Sequence, residues 1–93
     1  MKVGEIYEIT PEWTQITGNP DLVKLMPELK AGARFEIMET EGFLGKSDCV
    51  AIRNVETGVF HHVESSPIGH KVWCFFSHYE AKRGFIKLVG ESK

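Results

Sequence analysis

Residues 49–64, CVAIRNVETGVFHHVE, carry the clearest indication of the fold. Its first part, Cys49–Val55, is predicted as a strand, and Glu56–Gly58 is predicted as a short turn that ends in glycine. Val59–Glu64 then returns as a second strand. The stretch therefore predicts an antiparallel hairpin at the centre of the chain.

Further strands are predicted on both sides of this hairpin. Val3–Ile9 alternates apolar and acidic residues in its second half, and Ala33–Thr40 alternates in the same way, which is typical of strands with one buried face. A glycine-punctuated loop is expected at residues 41–46. Downstream, Lys71–Tyr79 is rich in aromatic and β-branched residues, and Phe85–Val89 is apolar. The sequence thus predicts five to six strands.

Two helix starts lie between the first and second strands. Thr10 precedes Pro11, and Asn19 precedes Pro20 and Asp21, so each site combines a capping residue with proline at the first helical position. We expect one or two short helices here, placed as lids over an open end of the sheet.

The run Lys30–Ile37, the hairpin after it and the closing run Phe85–Val89 resemble the strand rhythm of an SH3-like small barrel. This resemblance implies a mainly β, partly open barrel that binds proteins or nucleic acids. The helical insert from Pro11 to Gly32 departs from the simple barrel plan.

Length and composition limit the classes of protein. The chain has 93 residues, of which 42% are hydrophobic and 26% charged, so we expect a single globular domain over residues 1–93. The formal net charge is -2, from 11 Lys+Arg and 13 Asp+Glu, which favours neither a nucleic-acid binder nor a DNA mimic. No secretory signal or membrane span is predicted, and the expected location is cytoplasmic.

His70, Cys74 and His78 are spaced four residues apart, which raises the question of a metal site or a thiol nucleophile with a histidine base. On a strand, residues four apart lie ~13 Å from each other, too far for one metal ion. Apolar neighbours also raise the pKa of a thiol and make it unreactive. We predict no catalytic residue, no metal and no cofactor, and we interpret Cys49 and Cys74 as reduced core thiols. A metal-binding or thiol-dependent enzyme is kept as the second alternative.

The predicted strand at Lys71–Tyr79 contains the candidate binding residues. If Val72, Cys74 and Phe76 point inward, the opposite face presents an aromatic stripe. This stripe, the predicted protein-binding site, consists of Trp73, Phe75 and Tyr79. A competing interpretation is that the helical insert buries the stripe; the residues that would cover it are Trp13, Leu22, Leu25 and Met26.

The first alternative is a small barrel that binds single-stranded nucleic acid. Cationic side chains lie between the aromatic residues near the C-terminus, as in many single-strand binders. The residues of this alternative site are Lys71, Lys82, Arg83 and Lys87.

We favour a non-enzymatic module that acts by stoichiometric binding to a protein. In its size, mixed surface and lack of catalytic motifs, the chain is similar to the small accessory proteins with which phages alter host machinery. The sequence leaves the partner's identity and the oligomeric state open.

Overall fold

The computed structural model describes residues 1–43 and 46–92. Within these ranges the chain forms five strands, three short α-helices and a 3-10 turn. In chain order they are β1 (Glu5–Ile9), α1 (Pro11–Thr14), α2 (Asn19–Leu25), β2 (Arg34–Phe43), β3 (Lys46–Asn54), β4 (Phe60–His62), the 3-10 turn (Val63–Ser65), α3 (His78–Arg83) and β5 (Ile86–Glu91).

The strands form one antiparallel sheet in the order β4-β3-β2-β1-β5. The mainly β class, with helices inserted after the first strand, is confirmed. The sheet is not closed into a barrel, because β4 and β5 lie at its two ends and no ladder joins them within the described residues. The SH3-like resemblance is therefore not confirmed.

The central hairpin is present. Ala51 pairs with His62 and Arg53 pairs with Phe60. The turn between them is closed by Asn54, whose Oδ1 accepts hydrogen bonds from the backbone N–H groups of residues 56 and 57, at 2.9 and 3.2 Å. The returning strand is shorter than predicted, because the chain turns into the 3-10 turn directly after His62.

The helical insert packs onto the sheet and closes the core. Thr10 caps α1, its Oγ1 accepting from the backbone N–H of Trp13 at 3.3 Å and donating to the carbonyl of Phe85 at 2.5 Å. Trp13 is 1% exposed. Its ring meets the buried ring of Phe76 edge-on, with centroids 6.0 Å apart, and Phe35 lies 6.1 Å from Phe76 on another side.

The end of the insert is fixed to the opposite part of the sheet. The carboxylate of Glu28, after α2, lies beside Nε2 of His61 on β4 and within hydrogen-bond distance of Asn54 Nδ2, at 3.4 Å. The insert therefore covers the inner face of the sheet, whereas the outer face of its central strands carries the ion pair between Arg53 and Glu36 and the one between Arg34 and Glu8.

The predicted strand at Lys71–Tyr79 is wrong. One isolated bridge, between Cys49 and Phe76, joins this segment to β3, and the rest is irregular until α3 begins at His78. Of the loop predicted at 41–46, residues 41–43 belong to β2 and residue 46 to β3, while Leu44 and Gly45 lie outside the described residues. None of the helices described here is long and apolar enough to cross a membrane.

Candidate functional site

The segment that follows the 3-10 turn, residues 66–77, is here called the Trp73 loop. Three buried side chains anchor it: Ile68, Phe75 and Phe76 are each less than 5% exposed. Two backbone hydrogen bonds fasten its end to β3, because Phe75 N donates to the Cys49 carbonyl at 2.7 Å and Cys49 N donates to the Phe76 carbonyl at 2.8 Å. The loop is irregular in form but fixed in position.

Close backbone contacts shape the first half of the loop. The N–H groups of Lys71 and Val72 both donate to the carbonyl of Ile68, at 2.9 and 3.1 Å. Gly69 lies against the 3-10 turn, and a Cβ atom at this position would stand 2.1 Å from the Val63 carbonyl oxygen. Since no real side chain tolerates that distance from a backbone atom, the loop requires glycine here.

The predicted aromatic stripe is divided by the structure. Trp73 is 61% exposed and Tyr79 51% exposed, whereas Phe75 is 4% exposed and belongs to the core. The alternation of a strand does not apply to an irregular loop, so Trp73 and Tyr79 reach solvent from two different elements. The insert covers neither ring: Trp13, Leu22 and Met26 are buried, but Leu25 is itself exposed.

Tyr79 is positioned by the first turn of α3. Ser77 and Glu80 form a capping box, in which Ser77 Oγ accepts from Glu80 N at 3.1 Å and Glu80 Oε1 accepts from Ser77 N at 3.0 Å. The buried carboxylate of Asp48, on β3, accepts from the backbone N–H of His78 at 2.8 Å and lies 2.7 Å from His78 Nδ1. The start of the helix is therefore tied to the sheet.

Glu80 is a half-buried titratable group at this junction. Burial raises the pKa of its carboxyl above the ordinary value, and it outweighs the hydrogen bonding with Ser77, which lowers the pKa. The exposed ring of Tyr79 has a cationic neighbour, since the Arg83 guanidinium lies 4.9 Å from the ring centroid.

Two grooves meet at Trp73. The first, of about 540 Å³, separates the bulged part of β2 from the loop, and its lining combines carboxylates with valines. Its lining residues are Glu39, Glu41, Val50, His62, Val63, Glu64, Gly69, Val72 and Trp73. This groove is here called the acidic groove.

The second groove, of about 370 Å³, lies between α2 and the loop. Asn19 and Leu22 line it on the side of the helix, and Lys71, Trp73 and Glu80 are among the residues that line it on the other side. Trp73 therefore forms part of both grooves, and its large exposed ring is the most prominent apolar group between them.

The residues of the metal and thiol alternatives are not brought together as a site. His70 is exposed, Cys74 is half-buried, and His78 is bound to Asp48. Within residues 1–43 and 46–92 no three histidine, cysteine or acidic side chains are grouped so that they could hold a metal ion.

Both cysteines are free thiols in the structure. Burial raises the pKa of each, of Cys49 and of Cys74, to about 12. At neutral pH they are protonated and therefore poor nucleophiles.

The four cations of the nucleic-acid alternative are distributed over three elements. Lys71 lies on the loop, and Lys82 and Arg83 lie in the last turn of α3. Lys87, on β5, is paired with Glu8 of β1 in the sheet. Phe75 and Phe76 are unavailable for base stacking because they are buried. This alternative stays a prediction, for which Trp73 and Tyr79 offer exposed rings.

Sequence reasoning missed the acidic groove and the helix that carries Tyr79. The groove joins residues distant in the chain, such as Glu41 and Glu64, and has no local signature. The helix did have one: Ser77 followed by Glu80 is the spacing of a capping box.

These features define a small antiparallel β protein in which a loop presents the exposed ring of Trp73 and a short helix that of Tyr79. The family model of the PinA peptidase inhibitors matches residues 2–91, and the chain belongs to this family. The family is one of inhibitors rather than enzymes, so the predicted non-enzymatic regulatory role and the predicted protein partner are confirmed at this level. Searches of curated proteins and of solved structures gave no match.

Proposed function

We propose that this protein inhibits a peptidase by reversible, stoichiometric binding, and that Trp73 and Tyr79 form the centre of its contact surface. One observation carries this proposal: the indole of Trp73 is 61% exposed on a loop that is anchored by the buried side chains of Ile68, Phe75 and Phe76. Tryptophan and tyrosine are the residue types that contribute most to binding energy when a partner covers them.

The fixed position of the loop supports an inhibitory role. Complexes between peptidases and protein inhibitors generally form with little backbone movement, because an ordered loop loses little conformational entropy on binding. Here the loop is held by the burial of Ile68 and Phe75 and by its backbone bonds to Cys49. These contacts are present before any partner binds.

The protonation state of the thiols supports a non-covalent mode. An inhibitor that traps a peptidase through sulfur needs a thiolate at neutral pH. The pKa of Cys74, the cysteine closest in sequence to Trp73, is raised to about 12 by burial. Shape and charge, rather than bond formation, are therefore the proposed means of inhibition.

The setting of this function is proposed from the sequence. We propose a cytoplasmic protein of phage type that acts on host machinery, on the similarity of the chain's general character to small phage accessory proteins. Membership of an inhibitor family is compatible with that setting, and the partner would then be a peptidase of the host.

The test is an inhibition assay with purified peptidases of the serine, cysteine, aspartic and metallo classes. We expect one class to lose activity in proportion to added inhibitor, with an endpoint near one inhibitor per active site. Trp73→Ala should weaken inhibition more than about thirty-fold, as for a binding hot spot. Inhibition of none of the four classes would overturn the proposal.

The matched control is Phe60→Ala, since Phe60 is also an aromatic residue and is 54% exposed, but it lies on β4. This variant should inhibit within about two-fold of the wild type, as expected for a side chain outside the contact surface. If Phe60→Ala lost inhibition and Trp73→Ala kept it, the contact surface would lie elsewhere. Far-UV circular dichroism of both variants confirms that the fold is intact.

A further inference from the structure

The acidic groove differs in charge from the other groove beside Trp73. Three glutamates, at positions 39, 41 and 64, line it, and no lysine or arginine is among its lining residues in the part of the chain that the structure describes. The groove on the other side of the ring is lined by both Lys71 and Glu80. One side of Trp73 is thus anionic and the other is mixed.

The floor of the acidic groove is apolar. Val50 and Val63 are buried within the core, and Val72 is half-buried beside them. His62 also lines the groove. Its Nδ1 accepts from the backbone N–H of Glu64 at 3.2 Å and its Nε2 lies 3.4 Å from Glu39 Oε2, so Glu39 already has a partner. The charge that faces an incoming group comes chiefly from Glu41 and Glu64.

We propose that the acidic groove receives an arginine or lysine side chain of the partner, placed against the ring of Trp73. This inference rests on the proposed function, because it names the chemistry by which the peptidase is recognised. The groove commits to a cationic occupant through charge complementarity, since an acidic or phosphorylated group would meet three carboxylates.

Each part of a long cationic side chain has a counterpart in the groove. The aliphatic stem packs on the valine floor, as the methylene groups of lysine and arginine do on other apolar surfaces. The charged end reaches the carboxylates of Glu41 and Glu64. The indole face of Trp73 attracts the same cation, and tryptophan is the aromatic residue that does so most strongly.

The experiment uses N-acetyl-L-arginine amide as the probe and N-acetyl-L-citrulline amide as its uncharged control of nearly the same shape. Each is titrated into the full chain to tens of millimolar, and binding is followed by the indole N–H signals in a two-dimensional NMR spectrum. The arginine probe should shift the Trp73 signal in a saturable way. The signal of Trp13, buried in the core, should stay in place and serves as an internal control.

Charge variants make the test specific. Replacing both groove glutamates, Glu41→Gln with Glu64→Gln, should weaken binding of the arginine probe about five-fold or more, because two ionic contacts are lost. The matched control replaces two exposed glutamates outside the groove, Glu12→Gln with Glu56→Gln, and should change the affinity by less than about two-fold. In the Trp73→Leu variant, which has no indole at this position, binding is followed by the backbone amide signals of the groove residues in the same spectrum. Its affinity for the arginine probe should be about two- to five-fold weaker through loss of the cation–π contact.

Two results would overturn the inference: no shift of the Trp73 signal with the arginine probe, or an equal shift with the citrulline probe. Failure of the proposed function looks different. If the arginine probe binds at Trp73 but no peptidase is inhibited, the proposed cation site stands and the proposed inhibition is rejected. If a peptidase is inhibited equally by the wild type and the Glu41/Glu64 variant, the proposed inhibition stands and recognition of a cationic side chain by the groove is rejected.

Discussion

Two connections of this molecule each contain one tryptophan and use it in opposite ways. The first connection, residues 10–33, joins β1 to β2 and buries Trp13 to 1% exposure. The second connection, residues 63–85, joins β4 to β5 and leaves Trp73 61% exposed. Both connections are irregular chain with short helices, so the type of secondary structure does not decide which ring is buried.

The difference lies in what anchors each connection. In the first, Trp13 is itself one of the anchors, together with Leu22, Met26 and Leu29, and it packs against Phe76. In the second, the anchors are Ile68, Phe75 and Phe76, and the side chain of Trp73 is not part of the core. In the second connection, other buried residues supply the anchoring, and the ring of Trp73 remains exposed.

Of the changes considered, replacement of a tryptophan by alanine should have the largest effect on the free energy of unfolding. The effect should differ between the buried and the exposed tryptophan. Trp13→Ala should lower the free energy of unfolding by about 3–5 kcal/mol, since a large buried side chain is removed from the core. Trp73→Ala should change it by about 0.5 kcal/mol or less, as at an exposed position. Urea denaturation followed by circular dichroism measures both values. Similar losses of stability would contradict the different roles of the two tryptophans in anchoring their connections.

The Gly69→Ala variant should have the next largest effect. The added methyl group would collide with the Val63 carbonyl oxygen, so the loop must move, at a cost of about 1–3 kcal/mol as for other overpacked sites. Gly90→Ala is the matched control, because nothing lies within 4 Å of its added Cβ. Thermal unfolding should separate the two variants clearly, and an unchanged Tm for Gly69→Ala would show that the loop is not held as described.

The smallest effect concerns Glu80 at the base of the second connection. Because the pKa of Glu80 is raised in the folded state, its protonated form favours folding. That contribution is complete below the ordinary glutamate pKa and is lost as the pH rises through the raised one. The free energy of unfolding of the uncharged variant Glu80→Gln should therefore rise relative to that of the wild type as the pH is increased from 4 to 7. Urea denaturation at several pH values measures this trend, and a constant or opposite difference would contradict it.

The regular part of the fold could be predicted from the sequence. Alternation of side chains predicted β1 and β2, and the turn residues between Asn54 and Val59 predicted the central hairpin. Proline at two helix starts predicted α1 and α2. These are local signals, each complete within a few residues.

The irregular part could not be predicted in the same way. The sequence Trp73-Cys74-Phe75-Phe76 has the composition of a strand, but its residues contact β3 through one bridge and otherwise pack as a loop. Composition does not report whether a second strand is available for pairing. Trp73 and Tyr79 were identified as candidates, while the exclusion of Phe75 and the presence of the acidic groove depend on contacts between distant parts of the chain.

The brevity of β4 has a consequence for self-association. An edge strand exposes unpaired N–H and C=O groups to which another copy of the chain can add, and long flat edges promote aggregation. Here β4 has three residues before the chain turns away. The opposite edge, β5, is longer and carries Lys87 and Glu91, charges that resist the approach of a second strand. The short length of β4 at one edge and the charges of β5 at the other thus limit the edge-to-edge pairing that would lead to fibrils.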